Sequence, residues 1–403
     1  MMKNRLGFAR RLVGLLAMLV VATAWPQASF PVDEKVQVAG SVDGQQHPNG
    51  RYVFEQETFG GNGRTCRTCH SKETGTISVA DVAERINDPT DPLFLQDGLD
   101  DDGIGTTRIR THATIRMTIP LPPGITLADD PGATSVKVNR GSPTTRNTPA
   151  LDPVLLADGR APTILDQALA AIHDHFQSAR TPTAAELASL VEFEQTHPSF
   201  FSSNALKQFA KGAPPPQLPE GRTAAEKRGR RFLVDVPFNP PAKDGACALC
   251  HSGPMLNETN LSQEAFGIPQ GFRFIDTGVT LVNAPNNPIL TFIIDDGVNP
   301  AQAVSTPDLG LLLNPNPALP PPELFPRALL PNLFKIPTLW GISQTAPYFH
   351  DNGAKTLRDA VHHYVRFFNF PCDVDPVGSC TLGGLIELTE DDVDDIVAYL
   401  KLL

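Results

Sequence analysis

The stretch "CRTCH", Cys66 to His70, returns later in the chain as "CALCH", Cys247 to His251. Two Cys three residues apart lie on one face of a helical turn, where both thiols can add to the vinyl groups of a porphyrin. The His that follows then sits beneath the iron, so C-x-x-C-H reads as c-type haem attachment. A thioredoxin-like pair or half of a zinc site would also use C-x-x-C. Here each pair is followed at once by His, and the reading is two covalent c-type haems.

Working outward from the pentads, the two halves of the chain echo one another. Each has an early Phe among basic residues, "GRYVFEQETF" (50 to 59) and "EKRGRRFLV" (226 to 234), then its pentad, a long middle and a closing amphipathic helix. The first closing helix is "TPTAAELASLVEFEQTH", with Leu187, Leu190 and Val191 on one face behind a Thr cap. The second is "LTEDDVDDIVAYLKLL", with Val393, Ile396, Val397 and Leu400 on one face, Thr389 as cap and acids in the first turn. A helix before and a helix after each haem predicts two cytochrome c-like domains, residues 45–212 and 221–403. The segment "KGAPPPQLPEG" is the linker.

The 39 Pro cluster in "PLPPG" (120 to 124), "APPPQLPEGR" (213 to 222) and "NPNPALPPPELFP" (314 to 326). None of these can be a helix interior. The expected class is therefore mainly α, with long Pro-rich loops and few strands.

The N-terminus "MMKNRLGFARRLVGLLAMLVVATAWPQASF" places Lys3, Arg5, Arg10 and Arg11 ahead of an apolar run from Leu12 to Thr23, followed by small residues around Ala22, Ala24 and Ala28. This reads as a secretory signal over residues 1–28, with an uncleaved anchor as the alternative and the only membrane attachment expected. Export suits covalent haem attachment and points to the periplasm. In an oxidising compartment Cys372 and Cys380 of "PCDVDPVGSC" are expected to form a disulfide, two unpaired thiols being the other reading. Removing the signal leaves about 375 residues, enough for two domains. The formal charge of −11 then falls to about −15, which argues against nucleic acid or an anionic membrane as partner. Such a surface is compatible with steering a basic redox protein, and equally with solubility alone.

The segment "FKIPTLWGISQTAPYFHDNGAKTLRDAVHHY", Phe334 to Tyr364, resembles the signature of the bacterial dihaem cytochrome c peroxidases and the related MauG family. There a K-x-P-[ST]-L segment leads to T-x-P-Y-F-H-D-G and then T-L-x-x-A-V. "RNTPALDPVLLADGRAPTILDQA" (146 to 168) is similar to that family's R-N-T-P and D-G-R-A segments, with Gln167 where the family has Gln.

The resemblance implies a division of labour. The haem on Cys66, Cys69 and His70 would react with hydrogen peroxide. The haem on Cys247, Cys250 and His251 would take in electrons from a small periplasmic donor, a cytochrome c or a cupredoxin. Asn147 and the backbone carbonyls of Thr345 and Pro347 match positions that bind calcium, a hard cation that accepts such oxygens. Asn147 could equally be a turn former before Thr-Pro. A homodimer is also compatible with the resemblance. Where the peroxidases place the Met that completes the second iron, this chain has Tyr364, as the MauG relatives do; a shift of one residue would substitute His363. Phenolate favours ferric iron, so this haem should have a low potential.

The chain departs from the pattern at the first haem. The family's acid, the group that would take a proton from peroxide and return it, falls here on Gln177 in "AIHDHFQSA". Neighbouring His173 and His175 offer an imidazole in its place, or one of them caps the iron and closes the site. Ala157 stands where the family carries a Trp between the haems. About fifty extra residues separate the first haem from "RNTP". They include the acidic "DGLDDDGIG", read as a solvated loop, and "RIRTHATIRMTIPLPPG", whose alternation suggests a strand and which offers His112 and Met117 as further candidate ligands. The leading expectation is a peroxidase. A MauG-like oxidase and a non-catalytic dihaem electron carrier are the alternatives.

Overall fold

In a computed structural model, which describes residues 49–282, 287–315, 330–369 and 383–403, each pentad is accompanied by a pair of packed helices. The first half carries α1 (Gly50–Glu55), α2 (Cys66–Cys69), α3 (Val79–Arg85), α4 (Thr107–His112), α5 (Thr148–Leu151), α6 (Ile164–Asp174), α7 (Ala184–Thr196) and α8 (Asn204–Phe209). The second carries α9 (Ala224–Leu233), α10 (Val279–Val282), α11 (Leu357–Asn369) and α12 (Glu390–Leu400). The predicted signal and the pair Cys372/Cys380 lie outside the described residues. No helix among the described residues is long and apolar enough to cross a membrane.

The helix pairs meet at matching glycines. A Cβ at Gly50 of α1 would lie 1.9 Å from the Ser189 carbonyl oxygen of α7, and one at Gly229 of α9 would lie 2.0 Å from that of Asp395 in α12. Only a residue without Cβ lets the backbones approach so closely. In both helices the third and fourth residues after the glycine are buried: Val53 and Phe54 in α1, Phe232 and Leu233 in α9. The echo between "GRYVF" and "GRRFL" is therefore a packing motif. Capping boxes begin the later helices: Thr183 with Glu186 at α7, Thr223 with Glu226 at α9, and Thr389 with Asp392 at α12. One apolar core draws on both halves, from Val53 and Leu190 through Phe232 to Ile396 and Leu400. Residues 213–221 connect α8 to α9 without helix or strand.

The chain is mixed rather than mainly α. Among the described residues seven strands form three small sheets: β1 (Thr114–Pro120), β2 (Ile125–Leu127), β3 (Ser135–Gly141), β4 (Phe274–Ile275), β5 (Leu290–Ile294), β6 (Gln302–Thr306) and β7 (Phe334–Lys335). Strands β1 and β3 pair antiparallel from Thr114↔Gly141 to Pro120↔Ser135. The long insertion supplies both. Its alternation of Ile, Val and Thr with polar residues is strand patterning, and the Pro-Pro-Gly that ends β1 turns the chain into β2. Strand β2 then pairs with β5 of the second half, and β5 with β6, over a second core containing Ile119, Ile125, Phe292 and Leu313.

A buried ionic cluster joins β3 to the segments that follow α5 and β6. Arg140 of β3 donates from Nε and Nη2 to Asp308 (2.8 Å each) and from Nη1 to Asp158 (2.5 Å). Burial alone would depress the guanidinium, but the two carboxylates outweigh it and raise its pKa. Two of the four acids of "DGLDDDGIG" are tied to backbone amides. Asp100 accepts from the Thr107 and Arg108 amides at the start of α4, and Asp102 from those of Ile104 and Gly105.

Candidate functional site

Each pentad opens onto its own cavity. The first is lined by Cys66, Cys69 and His70, the second by Cys250 and His251. The two share a wall made by residues Gly141 to Thr144, Thr148, Leu156 and Ala157.

The two His are held alike. His70 donates from Nδ1 to the Gly75 carbonyl (2.8 Å), and His251 from Nδ1 to that of Leu256 (2.9 Å). In each ring this leaves Nε2 as the unprotonated nitrogen, the one able to bind metal. Burial depresses both imidazoles to about 4, so they are neutral and ready to ligate at physiological pH. Burial also raises the Cys247 and Cys250 thiols to about 12. The residues fit two covalent haems.

In the first cavity, the face of α6 made by Ile164, Gln167, Ala168 and Ala171 continues to His175 at the helix C-terminus. His175 donates from Nδ1 to Asp97 Oδ2 (2.6 Å), which again leaves Nε2 as the acceptor nitrogen. Asp97 is also paired with Arg64, a cavity-lining residue that is 1% exposed. Arg64 spreads its remaining donors over the carbonyls of Pro92, Leu93 and Leu95. Burial pushes the Asp97 carboxyl up, but the hydrogen bond from His175 and the charge of Arg64 more than offset this and hold it below the usual range. His173 is exposed on the opposite side, bonded to Asp174. Gln177 is exposed too, outside the cavity wall, where its side chain meets Gln96. Met117 lines this cavity and His112 lines neither.

Asp97 and Arg64 were not legible as site residues, nor was Glu194. Glu194 lies on the buried face of α7, 4% exposed, in the wall of the first cavity. Burial lifts its carboxyl to about 8 from an ordinary 4.5. The folded chain keeps this proton through a window in which the unfolded chain releases it. Stability is therefore expected to fall as pH rises between about 4.5 and 8, by about 1.4 kcal/mol per unit from this residue. Glu194→Gln should remove that slope, as denaturant midpoints at pH 5 and pH 8 would show.

In the second cavity Tyr364 of α11 lines the wall, whereas His363 is held away by its Nε2 contact with the Thr277 carbonyl (2.7 Å). Burial, with the nearby Cys250 and Cys247, pushes the Tyr364 phenol well above its usual range. His350 lines the same cavity and stacks on Phe334, ring centroids 3.5 Å apart. Met255 is buried in the core and is not part of the wall.

No family model matches the chain. A stretch of 72 residues is 42% identical to cytochrome c551 peroxidase of Nitrosomonas europaea, covering 18% of this chain and 17% of that protein. A longer stretch of 266 residues is 25% identical to cytochrome c peroxidase Ccp of Escherichia coli, covering 61% of this chain and 44% of that one. Over these stretches the chain is similar to bacterial cytochrome c peroxidases. It spans less than half the length of the two curated relatives it matches. Among solved structures, a MauG-like protein associated with microbial copper homeostasis is 17% identical over 88% of this chain and 87% of its own, with a TM-score of 0.46. The diheme peroxidase BthA from Burkholderia thailandensis is 16% identical over 87% and 84%, with a TM-score of 0.42. Of the two segments that resemble this family, 146–168 supplies parts of both cavity walls and 334–364 part of the second.

Proposed function

We propose that the chain is an exported dihaem peroxidase of this family, reducing hydrogen peroxide to water with electrons from a small periplasmic redox protein. The observation that carries the reading is the His175–Asp97 pair in the wall of the cavity that holds His70. Haem supplies the redox chemistry when bound at Cys66, Cys69 and His70. His175 Nε2 accepts the proton from one peroxide oxygen and returns it to the other as water leaves; imidazole is suited to both transfers. Asp97 fixes the tautomer and steadies the imidazolium, and Arg64 anchors the loop that carries Asp97. Gln167, about two turns earlier on α6, adds a polar amide to the same wall.

The second cavity, with Cys247, Cys250, His251 and Tyr364, is the electron-entry side. Ala157 lies in the wall common to both cavities, so electrons cross there without an aromatic at that position. Tyr364 favours a second reading, a MauG-like oxidase that draws oxidising equivalents from both sites for an organic or protein substrate. A calcium ion would take the Asn147 amide oxygen, which already accepts from the Ser202 amide (2.8 Å), and the carbonyls of Thr345 and Pro347 in the second cavity wall. Three neutral oxygens fall short of the six to eight such an ion takes, so water would complete its shell.

The test is the EPR and electronic spectrum of the ferric protein before and after one equivalent of peroxide. A high-spin signal that disappears rapidly is the expected result, and turnover with a reduced donor then separates peroxidase from oxidase. Two low-spin haems indifferent to peroxide, even after partial reduction, would leave an electron carrier.

A further inference from the structure

Three buried polar groups with no partner line the second cavity: Thr280 Oγ1, Asn332 Nδ2 and Arg146 Nε. Thr280 is 3% exposed and Asn332 1%, and buried polar atoms in native folds are nearly always bonded. The backbone brings the first two together. Strand β4 pairs antiparallel with β7 in the register Ile275↔Phe334, so the chain leaving Ile275 toward Thr280 passes the same end of the ribbon from which Asn332 enters. The orientation of Asn332 is fixed from behind, because Thr306 donates from Oγ1 to its Oδ1 (2.5 Å) and leaves the NH₂ as the open end. Arg146 spends its Nη2 on the carbonyls of Lys72 and Glu73, and its Nε stays unspent. All three groups can donate. Their common ligand is an acceptor that itself belongs inside the cavity.

A covalent haem provides one. Its thioether edge is pinned by Cys247 and Cys250, and its two carboxylates leave from the far edge of the ring. We propose that Thr280, Asn332 and Arg146 form the carboxylate end of the second cavity, donating to a propionate of the haem attached at Cys247, Cys250 and His251. The proposal rests on the dihaem reading. Hydrogen bonds to the ionised propionate keep negative charge at the ring edge and so favour ferric iron.

Asn332→Asp keeps the acceptor for Thr306 and exchanges only the open donor for an acceptor. Asp also tolerates the left-handed backbone of this residue, φ 62°. Thr280→Val removes the hydroxyl at nearly constant shape, and Thr280→Ser restores it. Haem content is counted first by pyridine haemochrome: two haems per chain uphold the underlying reading, and one overturns it. With two present, the propionate-bending bands in the resonance Raman spectrum should shift to lower frequency in Thr280→Val and Asn332→Asp and stay in place in Thr280→Ser. The negative charge that Asn332→Asp adds at the ring edge should also lower the midpoint potential of the C-terminal haem, outweighing the lost donor. Bands and potential unmoved in both variants would mean that these donors hold buried water only, and would overturn the proposal. If Thr280→Val does not fold, Asn332→Asp decides alone.

Discussion

His175→Gln is expected to slow the reaction with peroxide by about 10²–10⁴-fold, the usual worth of a positioned general base. Both haems should remain attached, because the side chain takes no part in the pentads. The expectation follows from which nitrogen is free: Asp97 engages Nδ1, so Nε2 is the basic one on the cavity side. Asp97→Asn should give a smaller loss, since an amide can still hold the ring but no longer fixes its tautomer or balances its charge. Asp97 is a positioning residue, so its effect should appear as a changed pH profile of the peroxide reaction as well as a lower rate. His173→Ala and Gln177→Ala, both on the surface, should leave the rate unchanged. Stopped-flow mixing with peroxide measures all four. An undiminished rate in His175→Gln would remove the proposed base, and a high-spin ferric signal newly created by that variant would show that His175 caps the iron instead.

The exposed position of Gln177 has a physical cause that also marks the reach of the sequence. Counting forward from Gln167 assumes an uninterrupted helix, but α6 ends at Asp174, and Gln177 already has a left-handed backbone with φ 50°. The last polar side chain that this segment gives the cavity is therefore that of the capping residue, His175. Features written in local chemistry were legible: the two pentads, the Thr caps, the apolar stripe of α12 with Val393, Ile396, Val397 and Leu400 buried. Features made by distant partners were not. Asp97 reaches the site only because the insertion folds back over Arg64, and nothing in "LQDGLDDDG" sets it apart from the acids beside it. Glu194 follows a helical stripe as a polar intruder, and its meaning depends on a cavity that the stripe does not encode. The sheets were underestimated for a related reason, since β2 finds its partner β5 in the other half of the chain.

Tyr364→Met is expected to raise the midpoint potential of the C-terminal haem by a few tenths of a volt, within the ~0.8 V range over which axial ligands tune haem iron. A buried phenol resists ionisation, and here burial and the neighbouring thiols push its pKa up. Only a strong local positive charge, such as a ferric iron, would hold Tyr364 as phenolate. That coupling would stabilise the oxidised state and make electron entry the uphill step. A neutral thioether ends it, so the variant should accept electrons from a donor of higher potential than the native chain can use. Tyr364→Phe, which keeps the packing of the ring against Phe367 and Phe368, should instead expose a coordination position and add a high-spin signal to the ferric spectrum. His363→Ala should do neither, because that ring is spent on the Thr277 carbonyl. Spectroelectrochemical titration of the three variants separates the cases. A potential that moves with His363 and not with Tyr364 would transfer the ligand assignment to the imidazole. If Tyr364 holds, the low potential explains how the second site can also give up an electron readily, the property that a dihaem oxidase needs and a simple peroxidase does not.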